Sequence, residues 1–237
     1  LIKVKKGDLV ISSNQPKSIL VHVLFEPNTF LEDTMTYDIT AWSVPYVYGL
    51  QAYATKSTIK TTDSQRYFSK RDKLNSNPYA YILPWGGIDD IRFLSEIYQH
   101  NIVARVSVEP FEIKKKRFER GTIILTRKSN ENLGDKFDDI IKKAANKFNR
   151  PITSVESGFV SKGKDFGSSS MRVIRKPKIG IISGNGVSSY SFGEVWHFFE
   201  RQIEFPVSVI GSDYFSGIPK HNFDVIILPS GNHSYIN

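Results

Sequence analysis

The chain has 237 residues, of which 40% are hydrophobic and 13% aromatic. This composition excludes a wholly disordered protein and favours two or three compact units. The formal net charge is +8, but Lys and Arg are scattered along the chain rather than interleaved with aromatic residues, so nucleic-acid binding is not predicted. The absence of cysteine excludes disulfides, a thiol nucleophile and any zinc site with Cys ligands.

The sequence contains neither a predicted membrane span nor a predicted signal peptide. No stretch approaches the ~20 apolar residues that cross a bilayer, so no membrane span is predicted. Residues 1–7 do not form a signal peptide because their apolar run is too short. The chain also starts without an initiator Met, and we expect it to be part of a longer protein.

Residues 1–60 have the alternation and turn residues of β structure. Strands are predicted at Asp8–Ser12 and Ile19–Phe25, with residues that favour a turn between them. The aromatic stretch Thr36–Gly49, interrupted by Pro and Gly, is predicted to pack as an irregular wall segment. The sequence therefore predicts a β-rich N-terminal part.

Residues 61–170 begin with a polar stretch and then alternate between apolar strands and amphipathic helices, which predicts an α/β lobe. The predicted strands are Tyr79–Leu83, Ile102–Val106 and Gly121–Thr126, and the predicted helices run from Asp89 to His100 and from Asp135 to Phe148. The basic run Lys114–Arg117 is predicted to be a solvated hairpin tip. A loop rich in small residues, Ser157–Ser170, is predicted as a boundary.

Residues 171–237 contain three apolar runs and one amphipathic helix. The runs are Lys178–Ile182, Val207–Ile210 and Asp224–Leu228, and the helix is Phe192–Glu204. Strand, helix and strand at this spacing predict a parallel, doubly wound sheet with a right-handed crossover. The fold class predicted for the whole chain is α/β.

His197 and Glu200 have the one spacing that suggests a metal site, since residues three apart share a helical face. A third ligand would have to come from His221 or His233. Aromatic neighbours on the same helix predict that His197 is buried, so no metal is predicted here.

A ligand site is predicted at two turns of the C-terminal lobe. Backbone amides at a strand-to-helix turn can hold a phosphate or carboxylate, and a second turn leaves the third strand at the same edge of the sheet. The residues are Gly184, Asn185, Gly186, Ser188, Ser230 and Gly231. The alternative is a turn whose glycines serve geometry alone. Ser230 lacks the Gly-x-Ser-x-Gly elbow, so no nucleophilic role is predicted.

Several segments resemble one family. Gln15-Pro16, Leu24–Pro27 and Thr36–Gly49 resemble the region after the peptidase domain in large bacterial zinc carboxypeptidases, and Lys164–Ser168 and Phe192–Glu200 are similar to the C-terminal part of those metallopeptidases. The resemblance covers essentially the whole chain. It implies a secreted or periplasmic parent whose zinc lies in a preceding domain, held by a His-x-x-Glu pair and a distant His. No zinc ligand of the family maps onto a position here.

From Lys178 onward the chain also resembles the start of a class I glutamine amidotransferase-like domain. This resemblance implies a flavodoxin-like, amidotransferase-like sheet in residues 171–237. Such domains carry a nucleophilic Cys after the next strand, and this chain has no Cys. The turn Leu228–Gly231 matches only the turn after the third strand, so no glutaminase activity is predicted.

The sequence thus predicts a non-catalytic accessory region of an exported zinc carboxypeptidase-like protein, with no cofactor of its own. Its expected partners are the preceding peptidase domain and the peptide substrate of the parent. Its role would be domain packing, substrate presentation or ligand binding. The alternative is a small-molecule-binding or amidotransferase-like enzyme lobe whose active site is completed outside this chain.

Overall fold

The structure is a computed structural model that describes residues 4, 8–28, 43–60 and 74–234. The chain divides into two compact units, one of residues 1–71 with 86–88 and one of residues 72–85 with 89–237. Helices and sheets are mixed, which confirms the α/β class. The predicted domain limits of 1–60, 61–170 and 171–237 stay a prediction.

The first unit contains helices where strands were predicted. Helix α1 spans Ser18–Phe25 and helix α2 spans Val44–Val47, and residues 8–28 and 43–60 contain no strand. The predicted strands Asp8–Ser12 and Ile19–Phe25 are therefore wrong, as is a β-rich N-terminal part for these residues. A short apolar run without Gly or Pro fits a helix turn as well as a strand, and periodicity alone cannot separate them. Residues 36–42 of the aromatic segment lie outside the described residues.

The second unit begins with a lobe built on a five-stranded sheet. Its elements are β1 (Ala80–Leu83), α3 (Ile88–Gln99), β2 (Ala104–Ser107), β3 (Phe111–Ile113), β4 (Lys116–Phe118), β5 (Ile123–Thr126), α4 (Lys136–Lys147), β6 (Thr153–Val155) and β7 (Met171–Ile174). The strand order is β6-β1-β5-β2-β7, and every neighbouring pair is antiparallel. The predicted strands and helices of this lobe are confirmed to within a few residues at their ends.

Both faces of this sheet are covered, which explains why β1 and β5 are buried along their whole length. Successive side chains of a strand point to opposite faces. Tyr81 and Leu83 pack with the apolar faces of α3 and α4. Ala80 and Ile82 pack on the other face with the β3–β4 hairpin and Phe166. The predicted hairpin tip is confirmed in part, since Lys114 and Lys115 form the turn while Lys116 begins β4.

One buried and one partly buried carboxylate of this lobe are paired, whereas the Ser168 hydroxyl has no partner among the described residues. The Asp90 carboxylate is fully buried and lies 2.6 Å from Nε of Arg150. The Tyr81 hydroxyl donates to Asp138 at 2.8 Å, and Arg127 donates to the same carboxylate oxygen at 2.6 Å. Burial and the Asp138 carboxylate raise the pKa of Tyr81 well above its usual value. These pairs fix how α3 and α4 sit on the sheet.

The C-terminal lobe is a three-stranded parallel sheet with one helix. Its elements are β8 (Ile179–Ser183), α5 (Ser189–His197), β9 (Ser208–Gly211) and β10 (Val225–Ile227). The order is β10-β8-β9 and both pairs are parallel, which confirms the predicted parallel sheet. The helix begins earlier than predicted and changes to a π-helical turn at Phe198–Gln202. The finer flavodoxin-like assignment stays a prediction.

Side chains of α3 hold the segment that joins α5 to β9. The Glu204 carbonyl oxygen accepts hydrogen bonds from Ser95 Oγ at 3.0 Å and from Gln99 Nε2 at 2.7 Å. Lys147 of α4 lies 2.9 Å from the Glu204 carboxylate. Glu204 itself has a φ of +52°, a left-handed conformation that costs a non-glycine residue free energy. The contacts with the first lobe offset that cost.

Candidate functional site

The three strands of the C-terminal lobe deliver their following loops to one end of the sheet. We call this end the carboxyl edge and define it as residues 184–188, 212–214 and 228–232. Parallel strands place their C-terminal ends side by side, and ligands of open α/β sheets bind outside those ends. All six predicted ligand residues lie on this edge.

The loops after β8 and β10 are joined by backbone hydrogen bonds. Ser188 N donates to Ser230 O at 2.8 Å, and Asn232 N donates to Gly186 O at 2.7 Å. Ser230 N donates to Ser191 Oγ at 3.0 Å. The structure therefore brings the two predicted turns together. The amides of Ser188 and Ser230 therefore donate hydrogen bonds within the protein, whereas the sequence analysis predicted that they would bind a ligand.

Two glycines permit this close approach. Gly186 has a φ of +81°, and a Cβ there would lie 2.6 Å from the carbonyl oxygen of Asn232. A Cβ on Gly231 would overlap the carbonyl oxygen of Gly186. Any larger residue at either position would force the loops apart. The glycines are thus required by the geometry of the edge.

Helix α5 begins at this edge with a capping serine. Ser188 is the N-cap residue, with an extended backbone, and its Oγ accepts from Ser191 N at 3.4 Å. Side-chain oxygens at this position satisfy amides that the first turn of a helix leaves without a partner. Ser188 thus has a structural role at the start of the helix.

The loop after β9 adds residues that the sequence analysis missed. Nδ2 of Asn185 lies 3.4 Å from both carboxylate oxygens of the exposed Asp213. Ser212 is only 4% exposed, and its Oγ has no hydrogen-bond partner among the described residues. A buried hydroxyl without a partner costs about 1–3 kcal/mol. The signal that could have identified Ser212 and Asp213 was their position, because they follow directly on β9, whose C-terminal end lies at the carboxyl edge.

Ser212 faces the glycine turn. A Cβ built on Gly184 would lie 3.1 Å from Ser212 Oγ, and Gly184 has a φ of +102°. The hydroxyl and the turn are therefore neighbours, with no side chain of residue 184 between them. Asn185, Ser212 and Asp213 form a second polar group beside the loops that the sequence singled out.

His197 and Glu200, whose spacing suggested a metal site, belong to no metal-binding cluster among the described residues. His197 is exposed, which corrects the expectation that aromatic neighbours bury it, and Glu200 lies in the π-helical turn. The change from α to π geometry alters the angle between residues three apart. Among the described residues no group of three His, Asp or Glu side chains could share a metal ion. No helix of the described part is long and apolar enough to cross a membrane.

Comparisons with known proteins give no family for this chain. No family model matches it, and no curated protein matches it. Among solved structures it is similar to a formyltetrahydrofolate deformylase from Burkholderia mallei, with 11% sequence identity and a TM-score of 0.17. That match covers 64% of this chain and 48% of the other chain. The TM-score is too low for the match to bear on fold or function.

Proposed function

We propose that the chain is a non-catalytic accessory region of an exported zinc carboxypeptidase-like protein, and that its parallel lobe is a ligand-binding module of flavodoxin-like, amidotransferase-like type. The observation that carries the ligand-binding part is the convergence of three polar loops at the carboxyl edge. The family part rests on the resemblance of segments such as Thr36–Gly49 and Phe192–Glu200.

The strand order supports a site at this edge. The first strand of the lobe, β8, is central, with β9 on one side and β10 on the other. The chain therefore reverses the direction in which the sheet grows after β9. Open α/β sheets bind ligands outside the carboxyl ends of the strands around such a reversal.

The chemistry available in the chain favours binding over catalysis. An amidotransferase of this type uses a Cys nucleophile, and the chain has no Cys. Ser230 follows a strand, but it lies in a loop joined to residues 186–188 by backbone hydrogen bonds rather than at a strand-to-helix elbow. These features leave the edge with polar groups that can recognise a ligand.

Two measurements test the accessory role. The reading frame upstream of the Leu1 codon should encode a peptidase domain with a His-x-x-Glu pair and a distant His. The purified 237-residue chain should hold no stoichiometric zinc and should not hydrolyse peptides with free C-termini. One tightly held zinc per chain that is lost in His197→Ala, but kept in the matched variant His221→Ala, would contradict the proposal.

A further inference from the structure

The charge of the carboxyl edge restricts the ligand that it can hold. Residues 184–188, 212–214 and 228–232 contain one charged side chain, Asp213, and no Lys or Arg. A phosphate or carboxylate bound by these three loops would face that negative charge, and none of the loops supplies a basic side chain to pair with it. The nearby Lys220 ammonium lies over the Phe215 ring, 4.9 Å from its centroid. The amides of Ser188 and Ser230, which would have offset the repulsion, already bond within the protein. The edge therefore favours a neutral ligand.

Asp213 and Asn185 offer hydrogen-bonding groups that match neighbouring hydroxyls. Both side chains are exposed, and their contact distances of 3.4 Å are long for a hydrogen bond. The carboxylate has acceptor sites to spare, and the amide has both a donor and an acceptor to offer. Two adjacent hydroxyl groups of one ligand can donate to the carboxylate while one of them accepts from the amide.

An exposed aromatic residue directly follows Asp213 in the chain. Tyr214 is 75% exposed, and its ring edge folds back on Gly211, where a Cβ would lie 3.1 Å from Cδ2. The glycine at the end of β9 thus makes room for the ring. An aromatic ring combines a broad apolar surface with a polar tip, and that surface suits the C–H face of a sugar ring.

Ser212 supplies a separate indication of a ligand. Its hydroxyl is buried and lacks a partner among the described residues, as do those of Ser43 and Ser168. The Ser212 hydroxyl differs from those two in facing the glycine turn at Gly184 beside the carboxyl edge. Buried polar groups of folded proteins are nearly always hydrogen-bonded, so an exception calls for an explanation. A ligand hydroxyl that enters beside Gly184 gives Ser212 Oγ the partner that it lacks.

We propose that the carboxyl edge binds a neutral sugar, with Asp213 and Asn185 on two adjacent hydroxyls, Tyr214 against the ring and Ser212 on a third hydroxyl. This inference rests on the proposed function of the lobe as a ligand-binding module. It replaces the anion expected from the glycine turn with an uncharged ligand, because Asp213 is the charge that the structure adds to the site.

The test is a backbone amide NMR titration of the 15N-labelled 237-residue chain. Three probes are used. Two are the neutral sugars glucose and N-acetylglucosamine, and the third is sodium phosphate at matched ionic strength. We expect each sugar, or one of them, to shift residues 184–186 and 212–214, and phosphate to leave them unchanged. Asp213→Asn, which keeps the shape and removes the charge, should weaken the sugar at least tenfold. Glu194→Gln removes an exposed charge from the same lobe and should leave binding unchanged.

A second pair of variants tests the aromatic ring of Tyr214 separately from its hydroxyl. Tyr214→Phe keeps the ring and should bind as the native chain does, whereas Tyr214→Ala should weaken binding at least tenfold. If neither sugar shifts residues 184–186 and 212–214, the inference is wrong. Phosphate shifts at these residues without sugar shifts would overturn the sugar assignment and leave a ligand-binding lobe standing. Shifts from none of the three probes would count against both.

Discussion

The two lobes of the second unit differ in the size of their buried cores. In the antiparallel lobe both faces of the sheet are buried, and Asp90 and Asp138 are each paired with an arginine. The parallel lobe has a much smaller core, with Val209 and Val225 of its outer strands 52% and 46% exposed. Each lobe has one buried hydroxyl without a partner among the described residues, Ser168 in the first and Ser212 in the second. The difference indicates that the first lobe supplies stability, while the second has surface available for recognition.

The largest effect should come from the core of the antiparallel lobe. Phe137 is fully buried, packs with Tyr81 at 6.0 Å between ring centroids and lies under the Arg127 guanidinium. Phe137→Ala should lower the free energy of unfolding by about 3–5 kcal/mol, measured by urea denaturation. Ile210→Ala in the parallel lobe should cost about 2 kcal/mol, because its small core can relax around the cavity. A larger loss for Ile210→Ala would reverse the comparison.

Removal of one buried charge partner should be nearly as costly. Arg150→Met leaves the fully buried Asp90 carboxylate without the guanidinium that faces it at 2.6 Å. We expect a loss of about 3 kcal/mol, seen as a lower thermal midpoint. Arg117→Met removes an exposed pair with Glu119 and should not change the midpoint measurably. Equal midpoints for the two variants would show that the Asp90 pair is dispensable.

Glycine substitutions in the parallel lobe should have opposite signs. Gly231→Ala places a methyl group against the Gly186 carbonyl and should destabilise the lobe by about 1–3 kcal/mol. Gly193 lies inside α5, and a Cβ built on it would have no neighbouring heavy atom within 4 Å. Gly193→Ala should therefore stabilise by about 0.5–1 kcal/mol through helix propensity. Denaturation followed by tryptophan fluorescence, to which Trp196 of α5 contributes, measures both. A neutral Gly231→Ala would mean that the loops separate without cost.

The smallest effect is a pH dependence of the antiparallel lobe. Burial raises the pKa of Tyr98 to about 12, whereas an unfolded tyrosine titrates near 10. Between these values the unfolded chain loses a proton that the folded chain retains, so stability falls as the pH rises above about 10. At pH 11 this amounts to about 1 kcal/mol. Tyr98→Phe should reduce the slope of stability against pH between 10 and 12, and an unchanged slope would assign it to other groups.

Elements with strong periodicity or paired acids at a helix start were predicted well from sequence. Asp89 and Asp90 marked the start of α3 correctly, and the three apolar runs of the parallel sheet were located to within a few residues. Ile19–Phe25 was assigned to a strand because a short apolar run has no distinctive period. Strands β6 and β7 were not predicted, because polar residues interrupt their short apolar sequences and only the pairing with β1 and β2 defines them.

The sequence analysis identified two of the three loops of the candidate site. The glycine turn and Ser230-Gly231 were identified because strand-to-helix turns have a recognisable composition. Ser212 and Asp213 were not, because a Ser-Asp pair after a strand is common and its relation to Asn185 depends on which strands are neighbours. The exposure of His197 also depends on tertiary placement, which its aromatic neighbours in sequence did not reveal.

The anchoring of Glu204 bears on whether the parallel lobe could be exchanged between proteins. Its carbonyl accepts two hydrogen bonds from α3, and its carboxylate faces Lys147. A lobe excised in the short linker between β7 and β8 would take the left-handed Glu204 with it but leave those three donors behind. A recipient scaffold would have to supply a helix with a hydroxyl and an amide one turn apart. The lobe is therefore inherited together with the α3 surface on which it rests.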